Sequence, residues 1–144
     1  MRHIAVMATA VLLLAGCAGN SGDGDDVEAK TIDDFEAGTC FSPAFDEFGN
    51  LRYQEVVECD ESHVAEVVFV YEATSTSFEL AEIVTEAVLL CDAGFREYVE
   101  PDLEEALTYD AIFPTEEQWD AGSRTVVCYT YDEDGPLIGS IAAS

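Results

Sequence analysis

The chain has 144 residues, with 31 Asp and Glu against 5 Lys and Arg, and a formal net charge of −26. Such a polyanion repels nucleic acid and anionic headgroups, which excludes both as direct partners. Its length and an apolar fraction of 49% allow one small domain with a core of its own.

Met1-Arg2-His3 is a short basic start, Ile4 to Leu14 is an apolar run, and Leu14-Ala15-Gly16-Cys17 follows. The run is too short for a membrane span, which needs about 20 apolar residues, so residues 1–16 read as a secretory signal. The tetrapeptide resembles the lipobox of bacterial lipoproteins. That resemblance implies cleavage before Cys17, lipidation of Cys17 and a place on the extracytoplasmic face of the cell membrane. The alternative is an ordinary signal peptide with a coincidental cysteine. Removing Cys17 from the count of five leaves Cys40, Cys59, Cys91 and Cys128, an even set that reads in an exported small domain as two disulfides. Of the three connectivities, Cys40–Cys59 with Cys91–Cys128 is favoured, because each pair joins elements expected to be neighbours. There is no C-x-x-C, and His63 is the one histidine left after the leader, so no zinc site and no cofactor are expected.

Residues 17–34 read as an acidic flexible linker rich in Gly, Ser, Asn and Asp. Asp23-Gly24-Asp25-Asp26 glances at a calcium loop but lacks the later ligands and the closing Glu. The folded domain is expected over residues 35–144. Gly38 to Ser42 reads as a short strand, Gly49-Asn50 as a turn, and Leu51 to Glu58 as a second strand. His63 to Tyr71 is the most strand-like run, β-branched or aromatic on both faces.

Thr76 to Tyr98 is the long segment with helical periodicity. Leu80, Val84, Ala87, Cys91 and Tyr98 form a stripe that Ile83, Val88, Leu90 and Phe95 widen, which predicts a largely buried helix. Thr76 and Glu79 read as its capping box. Beyond Pro101, Leu107 to Phe113 reads as a strand and Thr115 to Gln118 as a capping box that presents Trp119. Arg124 to Tyr131 reads as another strand, and Leu137 to Ala142 as an optional edge strand. The fold class is therefore α+β: a small, mostly antiparallel sheet of about five strands with one long helix packed on it, in the order β-β-β-α-β-β.

Gly38-Thr39-Cys40-Phe41, the run Val57 to Val67, Cys91, Phe113-Pro114-Thr115 through Trp119, Gly122, Arg124 and Val127-Cys128 together form a spread of ordered anchors. Over about residues 36–131 they resemble the septum-formation domain of actinobacterial membrane-anchored and secreted proteins. The resemblance implies an extracytoplasmic envelope module tied by name to septation, and it carries over no catalytic residue.

Cys59-Asp60-Glu61-Ser62-His63 is the most chemically tempting cluster, yet adjacent Ser62 and His63 are badly placed for a base to reach a nucleophile. The plain reading is a tight turn with His63 hydrogen-bonded at a strand start. Trp119 and Arg124 read either as a ligand-stacking platform or as a structural anchor, with the Arg paired to an acid. Tyr109, Tyr129 and Tyr131 form a contiguous aromatic surface if their strands are adjacent, a partner patch where exposed and core where the helix covers it. The acids Glu97, Glu100, Asp102, Glu104 and Glu105 read as a solvated face rather than a cation site. The expectation is a non-enzymatic, lipid-anchored envelope protein that binds another envelope protein. The alternative is an extracytoplasmic ion or small-ligand binding protein that uses the acidic surface.

Overall fold

A computed structural model of the chain describes residues 31–45 and 51–143; the leader, Cys17 and most of the expected linker lie outside them. The strands are β1 (Cys40–Phe45), β2 (Leu51–Val57), β3 (Ser62–His63), β4 (Ala65–Glu72), β5 (Thr108–Ile112), β6 (Thr125–Tyr131) and β7 (Leu137–Ile138). The helices are α1 (Leu80–Tyr98) and the short α2 (Glu116–Asp120). Five strands form one antiparallel sheet in the order β2-β1-β4-β6-β5, with α1 packed across one face. This is the expected α+β class. Both expected disulfides are present: Cys40–Cys59 at a Cα separation of 5.3 Å and Cys91–Cys128 at the same separation.

The β-branched run that marked the third strand is divided. Ser62 and His63 pair with Ile138 and Leu137 in a separate two-stranded ribbon, and the chain enters the main sheet at Ala65. The 137–142 segment is accordingly a strap, not an edge strand of the main sheet. Its backbone bonds tie Gly139 N–H to Cys59 O (2.6 Å) and, just beyond it, Ala143 N–H to Tyr98 O (2.8 Å). In β4 the pairing shifts between Val67 and Phe69, inserting Val68 as an extra residue. The bulge explains why apolar residues occupied both faces of this run: Val67 packs on the face away from α1, while Val68 joins the helix-side core.

The helix begins four residues later than expected. Leu80 is its first residue, and Glu79 precedes it without any side-chain cap. The 74–79 segment is instead held from inside the helix, where Glu86 accepts from Thr74 N–H (3.1 Å) and Thr74 Oγ1 (2.8 Å). The second expected capping box forms as read, with Gln118 N–H donating to Thr115 Oγ1 and Thr115 N–H to Gln118 Oε1. The face of the sheet opposite α1 is partly covered by a 3₁₀ turn at Ile32–Asp34, where Ile32 and Phe35 bury against Phe41, Val67 and Val127. Packed structure is thus present inside the stretch expected to be linker. The pattern that drives it, Ile32 and Phe35 among acids, is too short to read as an element.

Candidate functional site

His63 is 1% exposed. Its Nδ1 lies 2.8 Å from Glu61 O, and its Nε2 has no hydrogen-bond partner among the described residues. Ser62 is exposed to solvent, so the two do not form a nucleophile–base pair. Trp119 is also buried, edge-on to Phe78 at 5.7 Å between centroids. Arg124 covers the ring, its Cζ 3.7 Å from the centroid. The guanidinium Nη1 donates to Trp119 O and Ser123 O, both at 2.8 Å. The Arg therefore binds backbone carbonyls rather than the acid expected to pair with it, and the indole is committed to an internal anchor. Tyr129 and Tyr131 stand 6.0 Å apart on the sheet face away from α1, whereas Tyr109 packs on Phe95 on the helix side. The three do not make one surface. Their strands are neighbours, but odd and even registers put them on opposite faces.

Glu66, in sequence no more than a polar break in an apolar strand, is a buried carboxylate. Glu66 is fully buried next to Cys40 in the sheet register. Its Oε1 accepts from Tyr98 Oη and Ser140 Oγ, both at 2.7 Å, and its Oε2 accepts from Ile141 N–H at 3.0 Å. Three donors replace the water that a buried carboxylate gives up. They come from the C-terminus of α1 and from the strap, so one side chain ties three elements together. Burial, then the bond to Glu66, pushes the Tyr98 phenol up to about 12. Among the described residues, the group of potential metal ligands that converges is Cys40, Cys59 and Glu66. The two sulfurs are bonded to each other and the carboxylate is filled, so the group has no ligand to offer. Of the acidic run after α1, Glu104 approaches Arg96 Nη1 at 3.5 Å, and Arg96 in turn chelates Asp92.

What faces outward is more informative. The inward face of α1 presents Ile83, Ala87, Cys91, Gly94 and Phe95 to the sheet. The outward side carries Leu80 (49% exposed), Val84 (38%), Val88 (59%) and Leu89 (70%). The expectation of a largely buried helix therefore fails. Among the described residues one layer packs on α1, so the wide apolar arc has nothing to bury its outer half. Beside the arc, a cleft of about 200 Å³ runs between α1 and β5, walled by Val84, Val88, Tyr109, Ala111 and Phe113 with Asp110 at its lip. That volume is below the ~300–1,000 Å³ typical of small-molecule pockets. On the other flank a shallow groove of about 620 Å³ is bounded by Ala81, Leu89, Glu82 and Glu86. No described helix is long and apolar enough to cross a membrane.

No curated protein and no solved structure matches the chain. The sequence model of the family described as septum formation matches residues 22–128, a span holding both disulfides, α1, Trp119 and Arg124. The chain belongs to the septum-formation family.

Proposed function

We propose that this protein is a non-enzymatic lipoprotein, fastened to the outer face of the cell membrane through Cys17, whose disulfide-braced domain binds another envelope protein during septum formation. The observation that carries the reading is the outward side of α1: Leu80, Val84, Val88 and Leu89 exposed in a chain of net charge −26. An exposed apolar ridge such as Leu80, Val84 and Val88 marks an interaction surface, and Leu89 adds exposed apolar area on the other flank. Family membership supports the link to septation. The even cysteine remainder after Cys17 and the lipobox-like tetrapeptide support export and anchoring.

Two measurements test this reading. Labelling cells with a fatty-acid analogue should tag the protein, and Cys17→Ala should abolish the tag and release the protein from membranes. Photo-crosslinking residues placed singly over the domain surface, in the anchored protein, should give a specific adduct with another envelope protein. Absence of adducts from every position would remove the protein-binding role.

A further inference from the structure

We propose that the outward side of α1, together with the cleft between α1 and β5, is the docking site for a basic amphipathic helix of a partner protein. This rests on the protein-binding reading above and names the chemistry of what binds.

The apolar positions favour a helix. Leu80, Val84 and Val88 recur every four residues, so they form a straight ridge along α1. The adjoining cleft, floored by Ala87 and walled by Tyr109, Ala111 and Phe113, takes side chains that project from a second helix laid beside that ridge. The competing mode, a strand added to the free edge of β5, relies on main-chain pairing, and the Ala111 N–H of that strand is already held by the Asp110 carboxylate at 2.7 Å.

Charge selects the partner. From Thr74 to Phe95 the chain contains no Lys or Arg, Asp110 stands at the lip of the cleft, and Glu82 and Glu86 line the groove on the other flank of α1. The nearest cation along the helix, Arg96, is held by Asp92 and Glu104. A second copy would bring the same cation-free helix face and a further net charge of −26 to the contact, so self-association is opposed. A partner with leucine-like residues on one helical face and Lys or Arg on its flanks is matched in both respects.

The test uses the intact chain and a synthetic helical peptide of about 15 residues, near the shortest length stable alone, with leucines at i, i+3, i+4, i+7 spacing and lysines elsewhere. A scrambled peptide of identical composition is the control. Titration followed by amide chemical shifts should show saturable binding of the patterned peptide. Shifts should fall at residues 80–91 and 109–113, with weaker binding as salt is raised. Val88→Asp and, separately, Leu80→Asp sit at solvent-exposed positions of the ridge, and each should weaken binding about tenfold. Both add a negative charge, so attraction by charge alone would strengthen binding. Strengthening in both variants, equal affinity for the scrambled peptide, or no binding would overturn the proposal. A photo-crosslinker at Val88 in the anchored protein separates this inference from the broader one. A partner adduct at Val88 that Val84→Asp abolishes supports the site. Adducts at Tyr131 but not at Val88 overturn this surface while leaving protein binding intact, and a Val88–Val88 adduct overturns it in favour of a second copy.

Discussion

Glu66 is where a single residue bears most on stability. Its carboxyl group, with no cation beside it among the described residues, tolerates burial because three donors surround it. Glu66→Gln keeps the acceptor for Tyr98 and Ser140 but turns an amide N–H₂ toward the Ile141 N–H. The Ile141 N–H and the amide N–H₂ then face each other without an acceptor, and thermal or urea unfolding should report a loss of about 1–3 kcal/mol. Tyr98 gives a second prediction at this scale. Its pKa is raised above the ordinary value of 10 to about 12 in the folded protein, first by burial and then by Glu66. A group whose folded pKa is raised stabilises below its unfolded pKa and loses that contribution as pH climbs through the folded one. Stability should therefore fall between pH 10 and about 12. Burial raises Tyr71 and Tyr129 to about 12 as well, so the fall is shared. In Tyr98→Phe the alkaline decline should be shallower, as melting temperatures across that range would show. If Tyr98→Phe declined as steeply as the parent, the attribution to this phenol would be wrong.

At the scale of elements, α1 is set by one close approach and one covalent bolt. A Cβ added at Gly94 would lie 2.5 Å from the Cβ of Phe69 and 2.8 Å from its Cγ. The Phe69 Cβ is fixed to the β4 backbone and cannot swing away in any rotamer of the ring. Gly94→Ala should therefore destabilise by about 1–3 kcal/mol through overpacking, although Ala is the better helix former by about 1 kcal/mol. In a Phe69→Gly background that penalty should largely vanish, which a double-mutant cycle would measure. The bolt is Cys91–Cys128, which fastens the middle of α1 to β6 across a sequence separation of 37 residues. Chain-entropy arguments give about 4 kcal/mol for a loop of this size. Replacing both cysteines with Ala should lower stability by about that amount, with chemical denaturation as the readout. A loss under about 1 kcal/mol, well short of the chain-entropy figure, would assign the docking of α1 to packing alone.

For the molecule as a whole, the −26 charge outweighs what local pairing can neutralise, since 31 acids face 5 Lys and Arg. Two of those cations are spent close at hand, Arg96 on Asp92 and Glu104, and Arg124 on Trp119 and backbone carbonyls. Most carboxylates therefore repel one another through solvent, and this repulsion is screened with a Debye length of about 8 Å at physiological ionic strength and about 30 Å at 0.01 M. The melting temperature should rise steadily as salt is raised from about 0.01 to about 1 M. A flat salt dependence would show that the acids are neutralised by pairing or protonation.

The sequence by itself was enough for the fold class, the presence of two disulfides and the Thr115 cap, because each rests on a local pattern: β-branched runs, an even cysteine set, a Thr and a Gln three apart. It also carried the anchors of the family. Tertiary structure decided the rest. The helical arc from Leu80 to Phe95 is apolar on too many sides for periodicity to say which half is buried, and only the sheet packed on one side divides core from exposed surface. Glu66 looked like a polar interruption of a strand, since its three donors arrive from as far away as Ser140 and Ile141. Trp119 and Arg124 were legible as a pair, either platform or anchor, and Phe78, closing over the indole from a different segment, decides for the anchor. Burial is a property of what lies on the other side of a residue, and in this chain that neighbour is usually distant in sequence.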